Sequence, residues 1–489
     1  MRAERAPDAD VIVIGGGPAG SMIGSLVAMG GHRALIIEKD VHPRDHVGEG
    51  LIPATNIPLH RIGFLDKLND AGFIPKPGSG WNGPRSRPWS FVEVPLFEFP
   101  MEGNPQPWTF HVERDVMDSM LLRHAHDLGA KVLQGVTVDQ VLFDGGRAVG
   151  VRARVADGWE RDLYARVVVD ASGRRCLLAT QLKMKTKDRS FNQYVIYSWF
   201  RGVRRPPERI AGYSLFYFLG LNQAWAWQFP LRDGKYSVGV VADKEDFQKS
   251  GRGEEEFFDS LAARSRNLRY AMEEAERIRP FWIEGDYSYK IDRYSGPGWV
   301  LVGDALRFVD PIFSSGVDVA LFSATYAYEA IMESWRTGDE ETTFLRYQDI
   351  INTGVDVWYD TIGMFYKLQN LLSRFVMHRR WRESVVRTLQ GNPYDPENGR
   401  RTRALIDAMQ LAYERVLAQP DNLLRPWAMD PERDRTLTCP SCLGVADYWA
   451  DAGAFVCRRC GHHAPASHLR SISTGEPVGG PTGSSGRRR

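Results

Sequence analysis

An apolar run that ends in a cluster of glycines, close to the start of the chain, constrains the fold more than any other feature. Residues 10–14 read DVIVI, and residues 15–20 read GGGPAG. The run, the glycines and the small apolar residues that follow predict a strand, a tight turn and a helix. Glycines in a G-x-G-x-x-G pattern let a pyrophosphate approach backbone amides at a helix N-terminus. The pattern therefore predicts a dinucleotide-binding turn.

A carboxylate at the end of the next apolar run strengthens this interpretation. Residues 34–37 read ALII and are followed by Glu38, which is 18 residues beyond Gly20. In dinucleotide-binding folds an acidic residue about 20 positions after the glycines binds the ribose hydroxyls. The two features together predict a Rossmann-like domain, and a glycine-rich turn without a ligand is the alternative.

The composition allows several domains and argues against some classes of partner. The chain has 489 residues, of which 43% are hydrophobic, so about three domains of roughly 150 residues each are expected. Its 62 basic residues nearly balance 61 acidic ones, which argues against nucleic acid or a membrane surface as the main partner. The sequence shows neither a long uncharged apolar run nor the apolar stretch of a secretory signal. A cytoplasmic location is the expectation.

Three more segments carry patterns that suit a nucleotide cofactor. Residues 167–174 read VVVDASGR and residues 299–305 read WVLVGDA, each a strand pattern followed by a turn. Residues 111–118 read HVERDVMD and contain an R-x-x-x-D pattern. Such widely separated segments are expected when one extended cofactor is bound along its whole length. Together with the glycine turn, they resemble the flavoprotein monooxygenases, in which these motifs hold noncovalently bound FAD.

This resemblance implies the fold and the residues that contact FAD. The expected fold is α/β, with a Rossmann-like FAD-binding domain of the flavoprotein monooxygenase type. A helix cap is the alternative for Asp304, and a surface ion pair is the alternative for Arg114. Because only one nucleotide fingerprint is present, electrons are expected from a separate NAD(P)H flavin reductase or by transient nicotinamide contact. The expected cofactor contacts are Gly15, Gly17, Pro18, Ala19, Gly20, Glu38, Lys39, Glu49, Arg114, Asp170, Ala171, Gly303, Asp304, Pro311, Gly316 and Val317.

Four motifs in order narrow the resemblance to the flavin-dependent halogenases. They are PRDHVGEGLIP at 43–53, GFIPKPGSGW at 72–81, WAWQFP at 225–230 and GDALRFVDPIFSSGVDVAL at 303–321. The third is similar to the W-x-W-x-I-P marker of that family. Because alternate residues of a strand share a face, Trp225 and Trp227 are expected to point the same way. The resemblance implies that they screen substrate from the flavin, and filling of the core is a compatible alternative.

The resemblance also implies a reaction divided between two places. Reduced FAD and O2 give a C4a-hydroperoxide, a halide attacks its distal oxygen, and the resulting hypohalous acid travels through a tunnel to a lysine amine. The matching residue is Lys76, which by itself resembles a solvated loop lysine because it lies between two prolines. Burial in a tunnel would lower the pKa of this lysine and enlarge its neutral, nucleophilic fraction.

A turn of small residues that leads into a helical run predicts the halide site. The first amides of a helix carry partial positive charge, and by resemblance those of Ser315 and Gly316 bind chloride or bromide. A plain helix cap is the alternative. Phe313 stands where tryptophan halogenases carry a catalytic glutamate, which disfavours an indole substrate. The expected substrate is a phenol, a pyrrole or another activated carbon acid, either free or tethered to a carrier protein.

The remaining parts are assigned from their patterns. Alternating runs between about 190 and 300 read as antiparallel strands over the flavin, and residues from about 317 to 420 have a helical, aromatic-rich pattern. A basic cluster at 378–380 reads as a solvated face, with a docking patch as the alternative. The predicted domains are an FAD-binding domain at 1–190 and 285–330, a substrate sheet at 191–284, a helical region at 331–430, a zinc ribbon at 435–466 and a disordered tail at 467–489.

Four of the five cysteines form two C-x-x-C pairs near the C-terminus. Cys439 and Cys442 form one pair, Cys457 and Cys460 form the other, and 14 residues separate the pairs. Four thiolates at two tight turns in a cytoplasmic chain predict a tetrahedral zinc site rather than disulfides. Iron in a rubredoxin-like site is the alternative. We expect a structural zinc, in a ribbon that braces the helical region or contacts a partner.

Three functional hypotheses follow. The first is a two-component halogenase of secondary metabolism, most simply a chlorinase, which uses FAD, O2 and halide. The second keeps the fold but hydroxylates or oxidises its substrate without halide. The third is an inactive flavoprotein scaffold whose zinc ribbon binds partners. The family commonly has serine at position 50 and histidine or asparagine at position 318, where this chain has Gly50 and Asp318. If either departure accompanies lost halogenation with retained flavin chemistry, the second hypothesis is favoured over the first.

Overall fold

The described part of the chain contains two large β-sheets, a layer of long helices, a small C-terminal sheet and two two-stranded sheets. In a computed structural model, residues 6–419 are described except for 85, 156–157, 189–190, 222, 286–287 and 309. Beyond residue 419 the described segments are the strands at 437–438, 445–449, 454–457 and 463–465.

The strands are numbered in chain order. They are β1 (Ala9–Ile14), β2 (Ala34–Glu38), β3 (Ile74–Lys76), β4 (Gly78–Asn82), β5 (Val92–Pro95), β6 (Thr109–His111), β7 (Lys131–Gln134), β8 (Val136–Asp144), β9 (Arg147–Val155), β10 (Glu160–Asp170), β11 (Lys185–Lys187), β12 (Gln193–Arg201), β13 (Ser214–Phe218), β14 (Trp225–Pro230), β15 (Tyr236–Asp243), β16 (Glu276–Arg277), β17 (Trp282–Gly285), β18 (Tyr289–Ile291), β19 (Ser295–Gly296), β20 (Trp299–Leu301), β21 (Leu437–Thr438), β22 (Val445–Trp449), β23 (Ala454–Cys457) and β24 (His463–Pro465).

The α-helices are numbered in the same way. They are α1 (Pro18–Met29), α2 (Asn56–Arg61), α3 (Leu65–Asp70), α4 (Arg114–Asp127), α5 (Leu177–Gln181), α6 (Lys244–Ser250), α7 (Glu254–Ala262), α8 (Arg266–Ala271), α9 (Ser315–Thr337), α10 (Glu340–Lys367), α11 (Gln369–Met377), α12 (Arg382–Gln390) and α13 (Pro396–Ala418).

Parallel pairing in the first sheet brings the predicted nucleotide-binding segments together. β1 lies between β2 and β10, β20 lies on the other side of β10, and all three pairs are parallel. The strand order is β19-β20-β10-β1-β2-β7, and the β8–β9 hairpin joins through β10. The almost fully buried β1 is typical of a parallel strand with both faces covered. The carboxyl ends of β1, β2, β10 and β20 therefore meet at one edge, as expected for a Rossmann-like domain.

The second sheet confirms the antiparallel strands predicted between about 190 and 300. β12, β15, β14 and β13 are successive antiparallel neighbours. β4 joins β13 in parallel and carries β5 at the edge, so this sheet also takes strands from the segment predicted for the FAD-binding domain. α7 and α8 cover one face with Phe257, Phe258 and Leu268. The other face contributes Trp225 and Trp227 to the main core.

Helices from residue 315 onward confirm the helical region. α9 ends at Gly338, whose φ of 75° suits glycine, and α10 begins after Asp339, whose carboxylate accepts a hydrogen bond from the Thr342 amide. α9 packs between α1 and α10, and α10 also packs on α13. Within the described residues, none of the helices combines the length and apolar character needed to cross a membrane.

The packing of the glycine turn can be tested by Gly20→Ala. A Cβ at position 20 would lie 1.9 Å from the Gly15 carbonyl oxygen, so the turn or α1 would have to shift. We expect this substitution to lower the free energy of unfolding by about 1–3 kcal/mol, measured by urea unfolding without flavin. Gly363→Ala in α10 is the matched control, because its added methyl has no neighbour within 4 Å. The control should raise the same free energy by up to about 1 kcal/mol; equal changes in both variants would contradict the packing described.

Candidate active site

A cavity of about 620 Å³ opens at the edge where the carboxyl ends of the parallel strands meet. Its size is ordinary for a cofactor site. The second sheet contributes the opposite wall through Trp225, Trp227 and Phe229. Most of the predicted cofactor contacts line the cavity: Gly15, Gly17, Pro18, Ala19, Glu38, Lys39, Glu49, Arg114, Ala171, Gly303, Asp304, Pro311, Gly316 and Val317.

Two predicted contacts, Gly20 and Asp170, lie outside the lining of this cavity and shape it from behind. Gly20 allows the close approach of α1 to Gly15. The Asp170 carboxylate accepts hydrogen bonds from the amides of Ser172 at 2.9 Å and Leu178 at 2.7 Å. Its carboxylate therefore holds the turn after β10, and a contact between Asp170 and the cofactor stays a prediction.

The glycine turn has the shape that a pyrophosphate requires. Gly15 has a φ of +107°, and a Cβ there would lie 2.4 Å from the Ala171 carbonyl oxygen. α1 begins at Pro18 without a side-chain cap, so its first amides are available to an anion. Arg44 lies close by, since a Cβ on Gly17 would be 3.3 Å from its Nη2 atom. These residues fit the diphosphate of FAD.

Charged side chains around the cavity include two arginines that the sequence analysis missed. Arg44 and Arg174 both line the cavity, and Arg44 lies within the motif at 43–53, which was a usable signal. Arg114 is buried and forms a bidentate ion pair with Asp118 at 2.8 and 2.9 Å. The alternative of a surface ion pair for Arg114 is therefore wrong.

Two carboxylates take different positions in the wall. Glu38, at the end of β2, accepts hydrogen bonds from the amides of Gly16 at 2.6 Å and Asp40 at 2.9 Å. Asp304 follows β20 and lines the opposite part of the cavity. Burial raises the pKa of Asp304 to about 6, although Arg174 and Arg114 act in the opposite direction. The two acidic residues are thus spaced along one cavity, as the resemblance implied.

The tryptophans of WAWQFP occupy the wall contributed by the second sheet. Trp225 and Trp227 line the cavity from the same face of β14, as predicted, and their ring centroids are 5.8 Å apart. Trp227 lies against Gly239 on β15, where an added Cβ would be 2.2 Å from the indole ring. Glycine at this position therefore lets the ring lie flat on the sheet. The screening role of the two rings stays a prediction.

Lys76 is buried, which rules out the reading of a solvated loop lysine. Its side chain is 3% exposed, and its Nζ atom donates a hydrogen bond to the Leu51 carbonyl oxygen at 2.7 Å. Burial lowers the pKa of Lys76 to about 7. Close to neutral pH, a large fraction of this amine is therefore uncharged and able to act as a nucleophile.

Gly50 separates Lys76 from the cofactor cavity. Gly50 lines the cavity, and a Cβ at this position would lie 3.4 Å from the Lys76 Nζ atom, 3.1 Å from Ser314 Oγ and 3.5 Å from the Phe229 ring. Lys76 itself does not line the cavity. In the part of the chain that the structure describes, only Gly50, which has no side chain, therefore lies between the Lys76 amine and the cavity at this point.

The predicted halide site lies at the start of α9. Ser314 precedes the helix with a φ of 55° and makes no side-chain cap, so the amides of Ser315 and Gly316 are not capped by that hydroxyl. Ser314 and Gly316 line the cavity, whereas Ser315 does not. Phe313 also lies outside it, packed against Phe365 with centroids 5.6 Å apart. Halide binding by the two amides stays a prediction.

Asp318 is buried on the side of α9 away from the cavity. Its Oδ2 atom accepts a hydrogen bond from Trp358 Nε1 at 3.3 Å, and burial raises the pKa of its carboxyl to about 7. A Cβ on Gly391 would be 3.2 Å from its other oxygen. This departure from the family pattern therefore lies in the packing between α9, α10 and the segment before α13.

Comparisons with known proteins agree with the motifs. A family model described as tryptophan halogenase matches residues 10–83 and 100–389. The 1H-pyrrole-2-carbonyl-[peptidyl-carrier protein] chlorinase of Pseudomonas fluorescens is 38% identical over 441 residues, which cover 86% of this chain and 97% of the relative. The 1H-pyrrole-2-carbonyl-[peptidyl-carrier protein] brominase of Pseudoalteromonas luteoviolacea is 31% identical over 392 residues, which cover 79% of this chain and 93% of the relative.

Solved structures of halogenases share the fold. The flavin-dependent brominase Bmp2 has a TM-score of 0.75 and 28% identity, and the match covers 83% of this chain and 99% of that chain. The myxobacterial chondrochloren halogenase CndH has a TM-score of 0.66 and 31% identity, with 82% of this chain and 90% of that chain covered.

The burial of Lys76 can be tested through the pH dependence of stability. The folded chain has a lower lysine pKa than the unfolded chain, so it binds fewer protons between pH 7 and the ordinary value of 10.5, and its stability rises with pH in that window. Lys76→Met should raise the free energy of unfolding by about 2–4 kcal/mol at pH 7, where the cost of burying the charge is still almost fully present, and by less at pH 9.5. Urea unfolding at several pH values measures both.

Lys67→Met is the control, because Lys67 is a largely exposed lysine paired with Asp127 at 3.1 Å. It should change stability little at any pH. The burial described here would be contradicted if Lys76→Met changed stability by the same small amount at pH 7 and pH 9.5.

Proposed function

This chain belongs to the tryptophan halogenase family and is a flavin-dependent halogenase, and we propose that it chlorinates a pyrrole or similar activated ring tethered to a carrier protein. The observation that carries the proposal is the position of Lys76, a buried amine one residue behind the wall of the cofactor cavity. Such an amine has access to an oxidant made in the cavity without being exposed to the flavin itself.

The substrate class rests on Phe313 and on the relatives. Both curated relatives are named for a pyrrole-2-carbonyl group on a peptidyl carrier protein. A pyrrole is electron-rich, so it needs less help from a catalytic base than a six-membered arene does. Phe313 replaces the glutamate of tryptophan halogenases and lies among Trp81, Phe365 and Trp358. This apolar setting suits a flat aromatic ring.

Bound FAD, once reduced, supplies the oxidation of halide to hypohalous acid by O2. The glycine turn and Arg44 hold its diphosphate, and Asp304 holds the chain that leads to the ring system. The amides of Ser315 and Gly316 hold the halide at the start of α9, where the helix dipole favours an anion. A separate flavin reductase supplies the electrons.

Lys76 receives the oxidised halogen on the far side of Gly50. Its neutral amine either hydrogen-bonds hypohalous acid or exchanges an N–H bond for an N–halogen bond with release of water. Trp225 and Trp227 separate the substrate from the flavin. The substrate therefore meets the oxidised halogen only at Lys76. The described side chains next to Phe313 leave a void of about 10 Å³. The pyrrole ring of the substrate therefore enters only when these side chains move.

The C-terminal strands support the zinc ribbon as part of the same proposal. The cysteine side chains lie outside the described residues. The backbone pairs Thr438 with Val445 and Ala446 with Cys457. The strand ends from which the two C-x-x-C pairs follow therefore lie at one end of a four-stranded antiparallel sheet. Strand ends that lie close together suit a tetrahedral structural zinc held by the cysteines that follow them.

Lys76→Met tests the halogenase proposal directly. The variant keeps a long, unbranched side chain but has no amine nucleophile, so halogenated product should fall by roughly 100-fold or more. FAD affinity should stay within about twofold, because Lys76 does not line the cavity. The assay combines the enzyme, FAD, a flavin reductase, NADH, chloride and a pyrrolyl carrier protein, with product mass measured by mass spectrometry.

Lys67→Met is again the control and should leave product formation unchanged. A chlorine isotope pattern that disappears only in Lys76→Met supports the proposal. A product heavier by one oxygen, formed without halide and retained in the variant, would favour a monooxygenase instead.

The metal proposal is tested by replacing Cys439 and Cys442 with serine in the full chain. Elemental analysis should give about one zinc per native chain and almost none for the variant. Halogenation of the pyrrole substrate should persist, since none of the described residues that line the cofactor cavity comes after Ala320 in the sequence. Iron in place of zinc would support the rubredoxin-like alternative, and a native chain without metal would refute the site.

A further inference from the structure

The two tryptophans in the wall of the cavity are each held by a hydrogen-bond relay. Trp225 Nε1 donates to the Tyr366 hydroxyl at 2.9 Å, and this hydroxyl donates to Asp310 Oδ2 at 3.0 Å. Trp227 Nε1 donates to Ser237 Oγ at 3.0 Å. Burial raises the pKa of the Glu49 carboxyl, and the nearby Ser237 side chain acts in the opposite direction.

Both relays run in one direction. An indole N–H can only donate a hydrogen bond. The hydroxyl that accepts this bond therefore donates its own O–H to another acceptor. Each hydroxyl finds a buried carboxylate: Asp310 is 1% exposed and Glu49 is 2% exposed. Because an indole N–H has no acceptor capacity, neither relay can reverse at the tryptophan. The orientation of each indole ring is therefore fixed by a side chain from another part of the chain.

The far ends of the relays are also anchored. Asp310 Oδ1 accepts a hydrogen bond from the Ile312 amide at 2.9 Å, in the segment that leads to the predicted halide site. Glu49 Oε1 accepts a hydrogen bond from the indole N–H of Trp199 at 3.2 Å. Glu49 is also the neighbour of Gly50 in sequence and lines the cavity. The far ends of the relays thus lie near the start of α9 and near Gly50, the residue between the cavity and Lys76.

We propose that Tyr366 and Ser237 are positioning residues that hold the rings of Trp225 and Trp227 in place in the wall, so that oxidised halogen reaches Lys76 instead of escaping or attacking the wall. This inference rests on the proposed halogenase function. In coupled turnover, one substrate, one halide, one O2, one proton and FADH2 yield one halogenated product, FAD and two waters. In uncoupled turnover the same two electrons yield either hydrogen peroxide or a hypohalous acid and one water, and the substrate is unchanged.

Tyr366→Phe and Ser237→Ala each remove one relay with little change in shape. Two matched controls remove a buried hydroxyl from neighbouring strands without touching either relay. Tyr217→Phe loses a 2.6 Å hydrogen bond to Gln228, and Ser198→Ala loses a 2.8 Å hydrogen bond to the Arg279 carbonyl oxygen.

The first readout uses the chain without flavin and without turnover. Dilute hypochlorous acid is added, and oxidation of each tryptophan is located by peptide mass spectrometry. Trp225 and Trp227 are 1% and 3% exposed, so both should react slowly in the native chain. Tyr366→Phe should raise oxidation of Trp225 about three- to tenfold, and Ser237→Ala should do the same for Trp227, the factor expected for one lost buried hydrogen bond.

The second readout is the number of halogenated products per NADH consumed. It should fall by about three- to tenfold in both relay variants, with FAD affinity little changed. Both controls should match the native chain in both readouts. If the relay variants resemble their controls, or if each exposes both rings equally, the positioning role is wrong. If the native chain makes no halogenated product, the proposed function fails, while the oxidation pattern still tests the relays.

Discussion

The parallel pairing of β1 with β2 and β10 determines where every other part of the site lies. These strands run in the same direction, so their ends and the turns after them meet at one edge of the sheet. The glycine turn follows one strand, Glu38 ends another, and the turn held by Asp170 follows the third. A cofactor cavity forms at that edge from segments that are far apart in sequence.

The second sheet contributes a wall of aromatic side chains to this cavity. Trp225, Trp227 and Phe229 stand on one strand face, and Gly239 on the next strand leaves room for an indole ring to lie flat. Gly50 completes the wall where the flavin cavity comes nearest to Lys76. Because Gly50 has no side chain, the wall is thin beside Lys76. Because Gly239 has none, the indole ring of Trp227 can pack closely against the sheet.

Charged side chains of both signs line the cavity, whereas the amine of Lys76 lies behind its wall. Arg44, Arg114 and Arg174 line the cavity, where an anionic cofactor would bind. Lys76 lies behind the wall, with the Leu51 carbonyl oxygen as the acceptor of its hydrogen bond. Burial therefore lowers its pKa, whereas a neighbouring carboxylate would raise it. The same low-dielectric surroundings favour the fixed hydrogen bonds of the tryptophan relays.

The sequence by itself determined the local features. Periodicity and glycine spacing identified β1, the turn and α1, and the alternation of WAWQFP placed both tryptophans on one face, because these patterns follow from the geometry of a single element. Ordered motifs pointed to Lys76 and to most of the cavity lining. The sequence did not show that Asp170 faces a turn, that Lys76 is buried, or that Tyr366 and Ser237 hold the indoles. Only the tertiary structure decided these points, because burial and hydrogen-bond partners depend on which distant segments pack together, as Trp225 and Tyr366 do across 141 residues.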